Sequence, residues 1–251
     1  MPIIRFILGQ TGALGAIAAA VAFLASSSTA LAIYPEQAKK ELARLGIDPT
    51  IDALEKAVEN NDKTLAGLLM DAGIDVNHSG ALSTACQKSM LDMAEYLLMR
   101  GANPNLSPIL AQASQKGDAP MVQLLLRRRA DPNKEYALAL AAANGHDKVV
   151  QALLDGGADA NHGSPILGAV ENGHTQITRM LLEKGANPNT GRPILSAAAN
   201  GHGQIVRLLI EKGAHVNSKT DSSRGGGPLA KARKNGHDEV VMILKEAGAK
   251  D

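Results

Sequence analysis

Few side chains in this sequence are placed to do chemistry, and imidazoles are the most conspicuous of them. His146, His174, His202 and His237 each follow an Asn-Gly pair. An imidazole at a fixed place in a pattern is a metal ligand, a general base or a turn residue, and spacing decides among these. Copies carried on successive packed layers lie about 10 Å apart, the distance between packed helices. A single metal ion, with ligands at about 2 Å, does not readily bridge that gap. The reading that survives is a turn histidine bonded to the backbone of the adjacent loop. His78, His162 and His215 fall at a different turn of the pattern and read as solvated surface.

The other reactive groups are weaker candidates. Cys86 is the sole cysteine, so no intramolecular disulfide forms. It aligns with Ser114, Ala142, Val170 and Ala198, which marks it as a small buried hydrophobe. The stretch 222–227 has the glycines of a phosphate loop but lacks the Gly-Lys-Ser/Thr ending and a preceding strand. Asp and Glu are scattered without a recurring pair that would mark acid–base work. Arg127, Arg128 and Arg129 form the densest basic run and read as a solvated helix end. The expectation is a chain with no catalytic residues, no metal site and no cofactor, and hence not an enzyme. Metal analysis of the purified protein discriminates that reading from a metal-dependent hydrolase.

What positions these residues is a repeat. Asn77, Asn105, Asn133, Asn161, Asn189 and Asn217 recur every 28 residues, as do Leu69, Leu97, Leu125, Leu153, Leu181 and Leu209. Four residues before each Asn stand Gly73, Gly101, Arg129, Gly157, Gly185 and Gly213. A further column runs through Gly117, Gly145, Gly173 and Gly201 and reappears at Gly236. Within one repeat, Pro193 suits a first helical position, where its missing N–H is not needed. A run of Ala makes a slim helix, and Asn200-Gly201 ends it. Ile205, Leu208 and Leu209 then fall on one face of a second helix, which Gly213 closes. Neither helix buries its apolar face alone, so repeats must stack. Aromatic residues are 2% of the chain and Trp is absent, which leaves Leu and Ala to fill the core.

These segments resemble the ankyrin repeat. Residues 141–146 and 170–174 look like the end of that family's first helix, and residues 153–161 and 181–189 like the end of its second. The resemblance spans roughly residues 49–251 and implies an all-α ankyrin-repeat solenoid of about seven helix-turn-helix units. It departs from the family in two ways. Family repeats run near 33 residues, whereas these run 28. The missing residues fall between the Asn and the next Pro, where the family projects a β-hairpin, so a shortened, tight inter-repeat loop is expected. The family's Thr-Pro-Leu-His opening is also altered, to residues 164–167 and 192–195 here. Only the last interval is long, through the Gly- and Ser-rich segment 218–227, the expected flexible loop.

The amino terminus reads as an address. Arg5 precedes an almost wholly apolar run, Phe6 to Leu24, and then a small, polar stretch ending Ala30-Leu31-Ala32. That order is a secretory signal peptide at 1–32, cleaved before Ile33. The run is also long enough to span a bilayer as an uncleaved anchor. Residues 33–48 read as an amino-terminal capping helix with a charged face, residues 49–251 as the repeat domain, and Lys245, Glu246, Lys250 and Asp251 as the polar close of a complete array.

Beyond Arg5, the remaining 25 basic residues balance 25 acidic ones. A neutral body argues against general affinity for nucleic acid or anionic lipid. The membrane is expected as a partner only if residues 1–32 are retained. The resemblance implies binding of another protein through a concave face lined by first helices and inter-repeat loops. The variable positions there are Thr84, Lys88, Gln112, Gln115, Lys116, Tyr136, Leu140, Asn144, Glu171, Asn172, Arg192, Ser196 and Asn200. Tyr136 and Arg192 are the expected anchors, because Tyr and Arg are enriched in binding hot spots. The expected function is a monomeric, periplasmic or secreted protein-binding module, serving as an inhibitor, an immunity protein or a protective or assembly factor. The alternative is a membrane-anchored scaffold with its repeats outside the cytoplasm.

Overall fold

The computed structural model describes residues 35–217 and 226–250. The expected signal segment at 1–32, most of the 218–227 loop and Asp251 lie outside the described residues. Among the described residues there are fifteen α-helices, one short 3-10 turn and no strand. None of these helices is long and apolar enough to cross a membrane. The chain divides into two compact bodies, one ending at Asn103 and the other beginning at Pro104.

The amino-terminal body holds α1 (Pro35–Arg44), α2 (Ile51–Glu59), α3 (Lys63–Asp71), α4 (Ala81–Gln87) and α5 (Leu91–Met99). Helix α1 buries Ala38 and Leu42 and packs on α3, while α2 packs on both α3 and α4. Thr50 caps α2 by accepting from Ala53 N at 3.1 Å, and Asp62 caps α3 by accepting from Leu65 N at 2.9 Å. These are local caps, each satisfying an amide that the first helical turn leaves unpaired.

The carboxyl-terminal body holds α6 (Ile109–Lys116), α7 (Ala119–Arg127), α8 (Ala137–Ala143), α9 (Asp147–Asp155), α10 (Pro165–Glu171), α11 (Thr175–Glu183), α12 (Pro193–Ala199), α13 (Gly203–Glu211), α14 (Pro228–Lys234) and α15 (Asp238–Glu246). The first helices α6, α8, α10, α12 and α14 pack in one row and the second helices in another, each against its counterpart in the next repeat. The 28-residue period therefore delivers the helical solenoid that the sequence implies, with turns between repeats instead of hairpins.

The Leu column is the core. Leu125, Leu153, Leu181 and Leu209 are fully buried, as are Leu69 and Leu97 in the other body. Ala141, Ala142, Ala197 and Ala198 are also fully buried on the first helices, where small side chains let the row close up. The approach is close at Gly168 of α10, where an added Cβ would lie 2.7 Å from the Cβ of Ala143 on α8.

Backbone strain is concentrated in a few places. Gly157, Gly185 and Gly213 close second helices with φ of 88° to 90°, and Arg129 occupies the same turn of its repeat at φ 66°. A side chain in that region costs about 1–2 kcal/mol that glycine avoids. At the next turn, Gly163-Ser164 and Gly191-Arg192 are both left-handed pairs, and the equivalent pair one repeat before Gly163-Ser164 is Glu135 (φ 54°) and Tyr136 (φ 57°), with no glycine at all.

Candidate interaction surface

The surface is held in place by two sets of side chains that reach between repeats. The first is the Asn column. Asn161 accepts from the Asn187 amide at 2.8 Å through Oδ1 and donates to the Gly185 carbonyl at 3.1 Å through Nδ2. Asn189 does the same with His215 N and Gly213 O, Asn105 with Asp131 N and Arg129 O, and Asn217 with Lys250 N and Gly248 O. In the amino-terminal body Asn77 bonds Asn103 N and Gly101 O. One amide side chain thus satisfies an acceptor and a donor at the turn that closes the next repeat's second helix. Only Asn (or Gln with a longer reach) presents a donor and an acceptor on one short planar group, which explains its recurrence.

The second set is the His column. Nε2 of His146 contacts the Gln115 carbonyl at 2.9 Å, His174 that of Ala143 at 3.2 Å, His202 that of Glu171 at 3.4 Å and His237 that of Ala199 at 3.0 Å. Each imidazole reaches back to the carboxyl end of the preceding repeat's first helix, where carbonyls lack intrahelical partners. The ring lies directly over the glycine that ends that helix: a Cβ on Gly117, Gly145, Gly173 or Gly201 would come within 2.7 to 2.9 Å of it. The glycine therefore answers two demands, a left-handed turn and room for the neighbouring ring. Asp62 and Asp118 stand at the same place in their repeats and cap their own helices instead. The expected backbone-bonding turn histidine is what the structure holds, with the partner in the preceding helix end. Among the described residues no three His, Cys, Asp or Glu side chains converge to hold a metal ion.

The three histidines expected as solvated surface, His78, His162 and His215, are exposed. His78 Nδ1 lies 2.7 Å from Asp75. The Asn77 amide, and then His78, hold the Asp75 carboxyl below its ordinary value. The His162 ring stacks on Tyr136, with centroids 5.2 Å apart and planes 13° from parallel. Cys86 is buried, as its column implied.

The expected contact residues fall on both bodies. Thr84 is half-buried on α4 and Lys88 exposed just after it. In the carboxyl-terminal body Gln115, Lys116, Tyr136, Asn144, Glu171, Asn172, Arg192 and Asn200 are exposed, while Gln112, Leu140 and Ser196 are half-buried. The three asparagines are committed to the fold. Nδ2 of Asn144 donates to the Leu140 carbonyl at 2.7 Å, that of Asn172 to Gly168 at 2.9 Å and that of Asn200 to Glu171 at 3.0 Å. They finish the ends of first helices, and an exposed position there does not make them variable contact groups. The residues that project without such a role are Gln115, Tyr136, Glu171 and Arg192. Only Glu171 and Arg192 among them are charged, with opposite signs, so the four present no uniform field.

Sequence reasoning missed the pairing of each His with the glycine of the preceding repeat, although both columns were visible. It also missed the strained Glu135-Tyr136 pair, for which the signal was the absence of the glycine present at 163 and 191. Comparison with known proteins agrees with this architecture. Residues 110–192 match a family model for ankyrin repeats in three copies, and residues 190–221 match the ankyrin repeat model. No curated protein matches the chain.

Proposed function

The chain is an ankyrin-repeat protein, and from that premise we propose that it is an exported, monomeric, non-catalytic module that binds one partner protein through the flank of its first helices. Ankyrin repeats in general mediate binding between proteins. The observation that carries the proposal is the contrast between columns. The Leu, Asn, Gly and His columns repeat because each is consumed in stacking. The exposed positions Gln115, Tyr136, Glu171 and Arg192 on the first-helix side differ from repeat to repeat, and that variation is where a particular partner is read. Tyr136 and Arg192 are the anchors in this reading.

Export to the periplasm or to the medium follows from the basic start, apolar run and Ala30-Leu31-Ala32 ending of the first 32 residues. In that compartment the module acts as an inhibitor, an immunity protein or a protective factor for an enzyme. The length of the apolar run, Phe6 to Leu24, favours a second reading, a scaffold held at the bilayer by an uncleaved anchor. Amino-terminal sequencing of the protein recovered from its source cells separates the two: a start at Ile33 supports export, and retained residues 1–32 support the scaffold.

The binding claim is tested by affinity capture on the full chain beside a triple variant, Tyr136→Ala, Glu171→Ala and Arg192→Ala. A partner held by the first and lost by the second, with circular dichroism unchanged, supports the first-helix flank. A partner held equally by both sinks that surface assignment.

A further inference from the structure

Asn-Gly-His follows the first helices α8, α10, α12 and α14, at residues 144–146, 172–174, 200–202 and 235–237. An asparagine before glycine is open to attack by its own backbone, because glycine puts no side chain in the way of the attacking nitrogen. The fold restrains three of these four nitrogens. The Gly145, Gly173 and Gly236 amides donate to the carbonyls of Ala142, Val170 and Arg233 at 3.4, 3.2 and 3.1 Å. The Gly201 amide has no acceptor among the described residues.

Asn200 is also the least firmly seated of the four side chains. Asn144 and Asn172 return Nδ2 to their own helices, at 2.7 Å from the Leu140 carbonyl and 2.9 Å from that of Gly168. Asn235 reaches the Ala199 carbonyl in the preceding first helix at 2.6 Å. Asn200 donates to the Glu171 carbonyl at 3.0 Å, and shares it with His202, whose 3.4 Å contact is the longest of the His column. Local sequence does not explain the difference, because residues 141–146 and 197–202 are the same hexapeptide, Ala-Ala-Ala-Asn-Gly-His. Nor does exposure: Asn144 and Asn200 are both exposed, and Gly145 and Gly201 both half-buried. What separates the two sites is the hydrogen bonding of the asparagine side chain and of the glycine amide.

We propose that Asn200 is a site of spontaneous deamidation, and that its conversion to aspartate or isoaspartate loosens the seam between α10 and α12. The Gly201 nitrogen, its proton lost to water, attacks Asn200 Cγ. Ammonia leaves with a proton taken from water, and the succinimide so formed is opened by water at either carbonyl. The net reaction exchanges ammonia for water and needs no oxidant or cofactor. A carboxylate at 200 has no N–H to donate to the Glu171 carbonyl, and it places negative charge at the carboxyl end of a helix, where the dipole opposes it.

The test is incubation of the full chain at mildly alkaline pH, with peptide mapping by mass spectrometry at intervals and isoaspartate measured by enzymatic methylation. Deamidation at Asn200 should outrun that at Asn144 about two- to ten-fold, the worth of the one hydrogen bond that the Gly145 amide must give up before it attacks. In chain unfolded by urea the two identical hexapeptides should react at equal rates. Asn200→Asp should quicken hydrogen exchange in both α10 and α12, because the lost bond spans them. Equal rates at 144 and 200 in the folded chain, a faster reaction at 144, 172 or 235, or an excess at 200 that persists in urea would each overturn the site. Unchanged exchange in Asn200→Asp would overturn the loosening.

Discussion

Gly145→Ala separates the two roles assigned to the glycine column. Gly145 has φ 77° and lies beneath His174, with a prospective Cβ 2.7 Å from Cε1 and 3.0 Å from Nε2. Gly157 has φ 90° and nothing within 4 Å of a prospective Cβ. Alanine at Gly157 therefore meets only the backbone penalty, about 1–2 kcal/mol. Alanine at Gly145 meets that penalty and also pushes the imidazole off its seat. The displaced ring loses its 3.2 Å contact with the Ala143 carbonyl, about 0.5–1.5 kcal/mol, and part of its packing. The expected total at Gly145 is about 2–4 kcal/mol. The assay is urea unfolding of the full chain followed by circular dichroism, with hydrogen exchange of α8 to α11 locating the loss. His174→Ala completes a double-mutant cycle. In its background Gly145→Ala should fall back to the Gly157→Ala value, a coupling of about 1–2 kcal/mol. Equal losses at Gly145 and Gly157, or additivity within about 0.5 kcal/mol, would refute the claim that the ring is seated on the glycine.

Three further outcomes follow from the same structure. Asn161→Ala removes the bonds to Asn187 N and Gly185 O and should destabilise by about 1–3 kcal/mol, with exchange quickening at the turn that closes α11. Arg129→Gly relieves a left-handed backbone at φ 66°. The relief of about 1–2 kcal/mol is partly offset by glycine's greater freedom in the unfolded chain, so the net expectation is a stabilisation of about 0.5–1 kcal/mol, read as a higher unfolding midpoint. The Asp155 carboxyl is held below its ordinary value, first by the Gln151 amide at 2.8 Å and then by Lys184 at 3.1 Å. A depressed folded pKa means that its stabilisation is complete above the unfolded value of 3.8 and is lost as pH falls through the folded one. NMR titration of Asp155 should show that low value, and Gln151→Leu should raise it more than Lys184→Met does.

A period read along the chain determined a great deal here without coordinates. Apolar residues at i, i+3 and i+4 must share one helix face, so Ile205, Leu208 and Leu209 were bound to be buried, and they are. Proline at 165 and 193 could open a helix, and glycine at 145 or 201 could end one; each does. The shortness of the repeat left no room for a hairpin, and the structure has turns there. The burial of Cys86 was equally legible from its column of small residues. All of these are local consequences of phase around a helix or of residues a few positions apart.

Tertiary structure decided which distant group each repeated side chain meets. An Asn or His column announces that something recurs, but its spacing does not say whether the partner lies ahead or behind. Stacking sends Asn161 forward 24 residues to the Gly185 carbonyl and His174 back 31 to that of Ala143. It also turned Asn144, Asn172 and Asn200 inward to their own helix ends or, for Asn200, to the preceding one. Tyr136 is the clearest case. Its variability marked it as surface, yet its stack on His162 and its close seat over Gly163 arise only where two successive turns are laid side by side. A one-dimensional pattern carries the phase of each side chain about its own element, and the translation between elements, which chooses partners, exists only in the packed array.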